Sequence, residues 1–282
     1  MKIVRNLKWM NFLQTQSFKN IFVEYIKYLE IDLANSLINK TKFARNVVFL
    51  NNIKNIFLNL LNPFYIESGE YQKRFENLKQ QINKFQLEAT NKIQINDELL
   101  VKLELIEKYI VSNSKFKIIC KEFYNSSKCF SDAFMNYIDK KEFKDFLPQQ
   151  DDSENENIEE KVFVQSLLEF NNALSHLIIS ISSDSEAIQQ KNIHSAINHL
   201  YRATLDNYKI IIRFTIGKIS NEDIVTSFLS IRKQEFLLLG QDLKDKNINF
   251  YSPNNKKYEE KNIIQAYQEL YKAIDEILKH QS

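Results

Sequence analysis

Three glycines and three prolines in 282 residues are the strongest constraint on what this chain can become. Sheet proteins and nucleotide-binding α/β folds spend Gly and Pro on tight turns, positive-φ positions and phosphate loops, and six such residues cannot supply them. A chain built almost wholly from helices needs few of either. The expected fold class is therefore all-α. Apolar residues make up 44% and charged residues 26%, which is the balance of a chain able to bury a core.

Helical periodicity divides the chain. Ser17 is placed to cap a helix carrying Phe18, Ile21, Phe22, Tyr25, Ile26, Leu29, Leu33 and Leu37. Thr41 starts a second, through Phe43, Val47, Leu50, Ile53, Phe57 and Leu61 to Pro63. A third begins near Ser68-Gly69-Glu70, and a fourth at Asn96, where Asp97 and Glu98 suit the positive end of the helix dipole. Shorter helices are expected over 116–124 and 131–146. Residues 148–158, PQQDDSENENI, hold four acids and no aromatic, a composition that buries nothing. They are read as an acidic linker between an N-terminal helical domain, 1–147, and a C-terminal four-helix bundle, 159–282. In the latter, Ser183-Asp184-Ser185-Glu186 reads as a capping box and Gly217 as a C-terminal stop. Ser220-Asn221-Glu222-Asp223 starts the next helix, which carries Ile224, Phe228, Ile231 and Leu238 and ends near Gly240. A loop with Pro253, Asn254 and Asn255 leads to a last helix with Ile263, Ile264, Tyr267, Leu270, Tyr271, Ile274, Ile277 and Leu278 on one stripe.

Several chemistries are excluded by missing motifs. The chain contains no GxGxxG, GxxxxGK[ST], HExxH or GxSxG, so nucleotide hydrolysis and nicotinamide chemistry are not expected, and no cofactor is assigned. Cys120 and Cys129 fit neither a disulfide framework nor a zinc pattern. His194 and His199 are five apart on one helix, which points them in different directions, so no metal site is assigned either. The opening MKIVRNLKWMNFLQ lacks the apolar core of a signal peptide and no apolar run reaches spanning length. The expectation is a cytoplasmic protein without a membrane partner. The abundance of Lys, Asn, Ile and Phe suggests an AT-rich bacterial genome.

Within 192–213, NIHSAINHLYRATLDNYKIIIR, polar residues align with unusual regularity. Asn192, Ser195, His199, Arg202, Asp206, Lys209 and Arg213 share a narrow arc, opposite Ile193, Ile197, Leu200, Thr204, Tyr208 and Ile211. Ser195, His199, Arg202, Asp206, Lys209 and Arg213 are the candidate binding residues. Such a ladder is a solvated face laced by i,i+4 pairs, a groove using His for proton transfer and Arg for an anion, or a polar seam.

The pattern Ala196-x-x-His199-Leu200-x-Arg202-Ala203-x-x-Asp206-x-x-Lys209 resembles the HEPN-type helical bundles of bacterial toxin and phage-defence systems, over roughly residues 160–280. Active HEPN ribonucleases place His four to six residues after Arg. Here His199 precedes Arg202, so the resemblance implies a bundle without the ribonuclease site.

Charge is uneven. Residues 1–62 carry nine Lys or Arg against three Asp or Glu, whereas 148–282 carry 15 against 20. The basic N-terminal part makes Lys40, Lys42, Arg45 and Lys54 candidates for contacting nucleic acid. The functional expectation is a non-catalytic bacterial interaction or accessory subunit of a defence or stress system. It would bind a protein partner as a homo- or hetero-oligomer. The alternative is a nucleic-acid-binding protein or a degenerate HEPN-like ribonuclease.

Overall fold

A computed structural model describes residues 17–33, 44–60, 70–86, 95–138, 163–237 and 247–281. The expected 148–158 linker lies outside them, as do the Thr41 start and the Pro63 stop. The described residues form nine α-helices and one β-hairpin, so the fold is all-α with a small sheet inserted. The helices are α1 (Ser17–Leu33), α2 (Ala44–Asn59), α3 (Glu70–Gln86), α4 (Asp97–Ser112), α5 (Ser114–Asn136), α6 (Val164–Ser182), α7 (Glu186–Thr215), α8 (Glu222–Leu237) and α9 (Ile263–Gln281). The hairpin strands are β1 (Asn247–Ser252) and β2 (Lys257–Asn262).

Contacts group the chain into two units that do not follow its linear order. One comprises Met1–Tyr124 with Phe146–Leu200, and the other Asn125–Asp145 with Tyr201–Ser282. Helices α5 and α7 each contribute residues to both units, and α6 belongs with the N-terminal helices. The four helices of 159–282 therefore do not fall in a single unit.

In the first unit, α1 packs on α2, α3 and α4, while α6 packs on α2 and α4. Phe18, Phe22, Phe57 and Phe170 are almost fully buried. Phe57 meets Phe18 and Phe170 edge-to-face at 5.3 and 5.6 Å. Aromatic pairs of this kind contribute about 0.5–1.5 kcal/mol each beyond area burial. Asn96 caps α4 as its sequence implies, its side chain accepting from Leu99 N at 2.9 Å.

In the second unit, α8 and α9 pack on each other and on β1. On α9, Ile263, Ile264, Tyr267, Leu270, Tyr271, Ile274 and Leu278 are buried and Ile277 is half-buried, so all but the edge of the predicted stripe is the core face. Tyr208 of α7 stacks on Tyr267 at 6.5 Å and 5°.

Four local expectations are corrected. The two short helices near 116–146 are, over the described residues, the single 23-residue α5. It is started by Asn113, whose Oδ1 accepts from Phe116 N. The interval left between the two expected helices, 125–130, is helical too. Ser126 is buried there, and Asn207 Nδ2 donates to the hydroxyls of Ser126 and Ser127 at 3.1 and 3.3 Å. A tertiary partner thus satisfies the polar groups that would otherwise favour a turn.

The capping box at Ser183–Glu186 does not form. Ser183 closes α6, and its Oγ accepts from Ser185 N, two residues on, as a serine turn. The carbonyl of Ser185 takes the first bond of α7, from Gln189 N. Gly217 is not the C-terminal stop of the helix but the middle of a 3₁₀ turn, Ile216–Lys218, that follows the end of α7 at Thr215.

The loop expected around Pro253 is the turn of the hairpin. Ile248, Phe250 and Ser252 are buried, with Asn247 and Asn249 exposed between them, the alternation of a half-buried strand. Lys256 N bonds to Ser252 O at 2.8 Å, and Lys256 adopts a left-handed φ of 53° to turn the chain.

Candidate functional site

The most concentrated polar chemistry in the first unit lies between α6 and α7. His199 Nδ1 and Glu169 Oε2 are 2.6 Å apart, with side chains 16% and 12% exposed. A carboxylate only accepts, so His199 carries a proton on Nδ1, and Nε2 stands outside that bond. Seven residues earlier on α7, Asn192 Nδ2 donates to Ile188 O. This orients the amide so that Oδ1 faces His176 Nδ1 at 2.8 Å. His176 is therefore the donor there, and it too keeps Nε2 free of that bond. The two imidazoles stack, with centroids 5.1 Å apart and planes at 21°.

The helices position this cluster by simple periodicity. Glu169 and His176 are seven apart on α6, and Asn192 and His199 seven apart on α7, so each pair shares a helical face. Antiparallel helices joined by a short turn bring the first of one pair against the second of the other. Chemically, the arrangement is a carboxylate-oriented imidazole beside a second imidazole, able to accept hydrogen bonds or a proton at Nε2. Among the described residues no group of three or more His, Cys, Asp or Glu is placed to hold a metal ion.

In the second unit the corresponding focus is Glu235 of α8, buried with a side chain 9% exposed. Its carboxylate takes Lys209 Nζ of α7 at 3.0 Å, Arg232 Nη1 one turn away, and the Tyr267 hydroxyl of α9 at 2.9 Å. Burial together with the Glu235 charge holds the Tyr267 phenol well above the ordinary tyrosine range. These contacts tie α7, α8 and α9 through one acceptor.

The ladder read from 192–213 is thus not one face serving one purpose. Its apolar counterpart is correct: Ile193, Leu200, Thr204, Tyr208 and Ile211 are buried and Ile197 half-buried. Of the polar residues, His199 is engaged by Glu169 and Lys209 by Glu235. Ser195 and Asp206 are half-buried, and Arg202 and Arg213 exposed. Arg202 makes no ion pair or hydrogen bond among the described residues. Glu169, His176 and Glu235 were not among the sequence candidates. The matched seven-residue spacings on either side of Ser183–Ser185 are the signal that could have found the first two.

Of the nucleic-acid candidates, Lys40 and Lys42 lie outside the described residues. Arg45 falls within α2 without a described side chain, and Lys54 is half-buried on the same helix. Both cysteines are free. Burial pushes the Cys120 thiol far up, and burial with the nearby Asp132 pushes Cys129 up to about 11. Neither is an activated thiolate at neutral pH.

The fold and these clusters define a helical protein with internal polar clasps. No protein-family model matches the chain, and neither a curated protein nor a solved structure shows significant similarity to it. No helix among the described residues is long and apolar enough to cross a membrane.

Proposed function

We propose that this protein is a non-catalytic helical interaction subunit that acts by binding a protein partner. The observation that carries the reading is the outward face of α8. Val225, Leu229, Phe236 and Leu237 are 40, 58, 73 and 65% exposed. Val225, Leu229 and Phe236 recur at i, i+4 and i+11 on one side of the helix with Leu237 beside them, an apolar ridge interrupted at its middle turn by the exposed Arg232 and Lys233. The opposite face buries Ile224, Ser227, Ile231 and Glu235 against the hairpin and α9. The ridge is therefore held on an anchored helix.

Single exposed apolar residues are ordinary, but an aligned set ending in an exposed aromatic is the composition of an interface core. Burying each of the larger side chains in a partner contributes about 1.5–3 kcal/mol. The engagement of His199 and Lys209 inside the protein fits the same reading, since those groups of the ladder already have internal roles. The resemblance to HEPN-type bundles, with the Arg-to-His motif missing, adds a bacterial defence or stress system as the setting.

The test is Leu229→Asp with Phe236→Asp, followed by affinity isolation from native cells. The partner should be lost while the melting temperature stays within a degree or two, because both positions face solvent. A several-degree drop, or a wild-type chain that runs alone in native extracts, would overturn the reading.

A further inference from the structure

The two edges of the hairpin are treated differently by the rest of the second unit. Along β1, Gln234 Oε1 accepts from Asn249 N–H at 2.7 Å and Gln234 Nε2 donates to Asn249 C=O. Ser230 Oγ accepts from Tyr251 N–H at 3.2 Å. Helix α8 therefore closes that edge with side chains in place of a third strand. The same bonds fix the ladder's phase. Backbone groups of Asn249 and Tyr251 point away from β2, so the Asn249–Glu260 and Tyr251–Tyr258 pairs are the non-hydrogen-bonded positions. Glu260 and Tyr258 must then point their own N–H and C=O groups away from β1. Both residues are exposed, Tyr258 by 57%, and no hydrogen bond of theirs engages those groups among the described residues. Among the described residues one edge is closed and the other open.

Proteins usually blunt an open edge with proline, a bulge or an unpaired inward charge. Strand β2 contains no proline, and its six pairs with β1 run in unbroken register. Lys261 lies on the core side of the strand but is neutralised by Glu269 and Glu259.

Charge selects the occupant. Lys257 and Lys261 both pair with Glu259, which also accepts from Asn255. Of the charged residues of β2, Glu260 alone is exposed without an ion pair among the described residues. A second copy of the chain fits poorly. Two-fold antiparallel pairing that uses both outward residues centres on Glu260 or on Glu259, and sets like carboxylates directly opposite. Centring on Tyr258 keeps only residues 257–259 in register, because Lys256 has already turned into the left-handed region.

The geometry points to the outer edge of β2 as the docking edge for an extended segment of another protein, added as a third strand. That segment carries Lys or Arg opposite Glu260 and an aromatic or β-branched residue opposite Tyr258. This rests on the reading of the chain as a protein-binding subunit, but it uses a surface separate from the α8 ridge.

The experiment is an amide NMR titration of the full chain with a capped seven-residue peptide. Its Lys and Tyr residues alternate along one face and Thr fills the other. The amides of Tyr258 and Glu260 should shift, with at least tenfold weaker binding by the counterpart carrying Glu for Lys. Backbone N-methylation of the peptide should abolish binding. Glu260→Pro should also abolish it at unchanged melting temperature, since the outward N–H is not part of the β1–β2 ladder. Glu260→Lys, which leaves the backbone intact, should reverse the preference between the two peptides. Phe236→Asp should leave peptide binding unchanged, so the edge can fail while the α8 reading stands, or the reverse. Absence of shifts at millimolar peptide would overturn the inference. So would undiminished binding by the N-methylated peptide or by Glu260→Pro, or self-association of the chain through this edge.

Discussion

His199 on α7 donates its Nδ1–H to Glu169 on α6 at 2.6 Å, and seven residues away along each helix His176 and Asn192 repeat the connection at 2.8 Å. The two bonds act as successive rungs of one antiparallel hairpin, with the imidazoles stacked between them. Removing an acceptor from a half-buried donor costs more than the bond itself contributed, because the orphan N–H is kept from water.

Glu169→Ala should therefore destabilise the protein by about 1–3 kcal/mol, read from urea midpoints. Nitrogen shifts of His199 should at the same time show loss of the fixed Nδ1–H tautomer. An unchanged tautomer would mean that something other than Glu169 sets it.

Glu107 gives a prediction with a definite pH sign. Its Oε2 accepts from the Lys19 backbone N–H at the start of α1, and its Oε1 is buried without a hydrogen-bond partner among the described residues. Burial pushes the Glu107 carboxyl above the ordinary glutamate range, against the opposing pull of the Lys19 N–H. The folded state thus holds this proton more tightly than the unfolded state. That contribution is complete below the unfolded value of 4.5 and is lost as pH rises through the folded one. Glu107→Gln keeps an acceptor and removes the charge. The variant should be the more stable protein at pH 7–8, and its advantage should vanish towards pH 4. A gap that does not vary with pH would refute this.

Glu235→Ala should cost about 2–4 kcal/mol. It strands the buried Tyr267 hydroxyl and releases two cations, of which Arg232 is 47% exposed and can rehydrate. Glu235→Gln should cost roughly half as much, since the amide oxygen still accepts from Tyr267. Equal losses in the two variants would show that charge, not the hydrogen bond, dominates.

Gln234→Ala uncovers the closed edge of the hairpin. Amide exchange at Asn249 should accelerate by tenfold or more, with a stability loss of about 1 kcal/mol for two exposed bonds. Exchange at Glu259, which points towards β1, should change less.

Much of this architecture is written locally. The stripe on α9, the apolar face of α7, the Asn96 start and a start within Ser220–Asp223 were legible because helical periodicity and caps depend on neighbours within a turn. The hairpin was not, because β1 carries Asn at both exposed positions and β2 is KYEEKN, neither of which shows a strand's usual composition. Those strands exist because Phe250 and Ile248 reach the core and α8 satisfies their edge. The separation expected between helices over 116–124 and 131–146 fails for the same kind of reason: at Ser126 and Ser127, Asn207 supplies partners that no local rule contains.

The polar ladder shows where the division falls. Spacing alone determined that Asn192, His199, Lys209 and their neighbours lie on one side of a long helix, with Ile193, Leu200, Tyr208 and Ile211 opposite. Only the tertiary structure decided that His199 meets Glu169, that Lys209 meets Glu235, and that Arg202 faces water. Periodicity is a property of one backbone, fixed by 3.6 residues per turn. Whether a charge on that backbone is paired or solvated depends on which other helix the packing brings within about 3 Å.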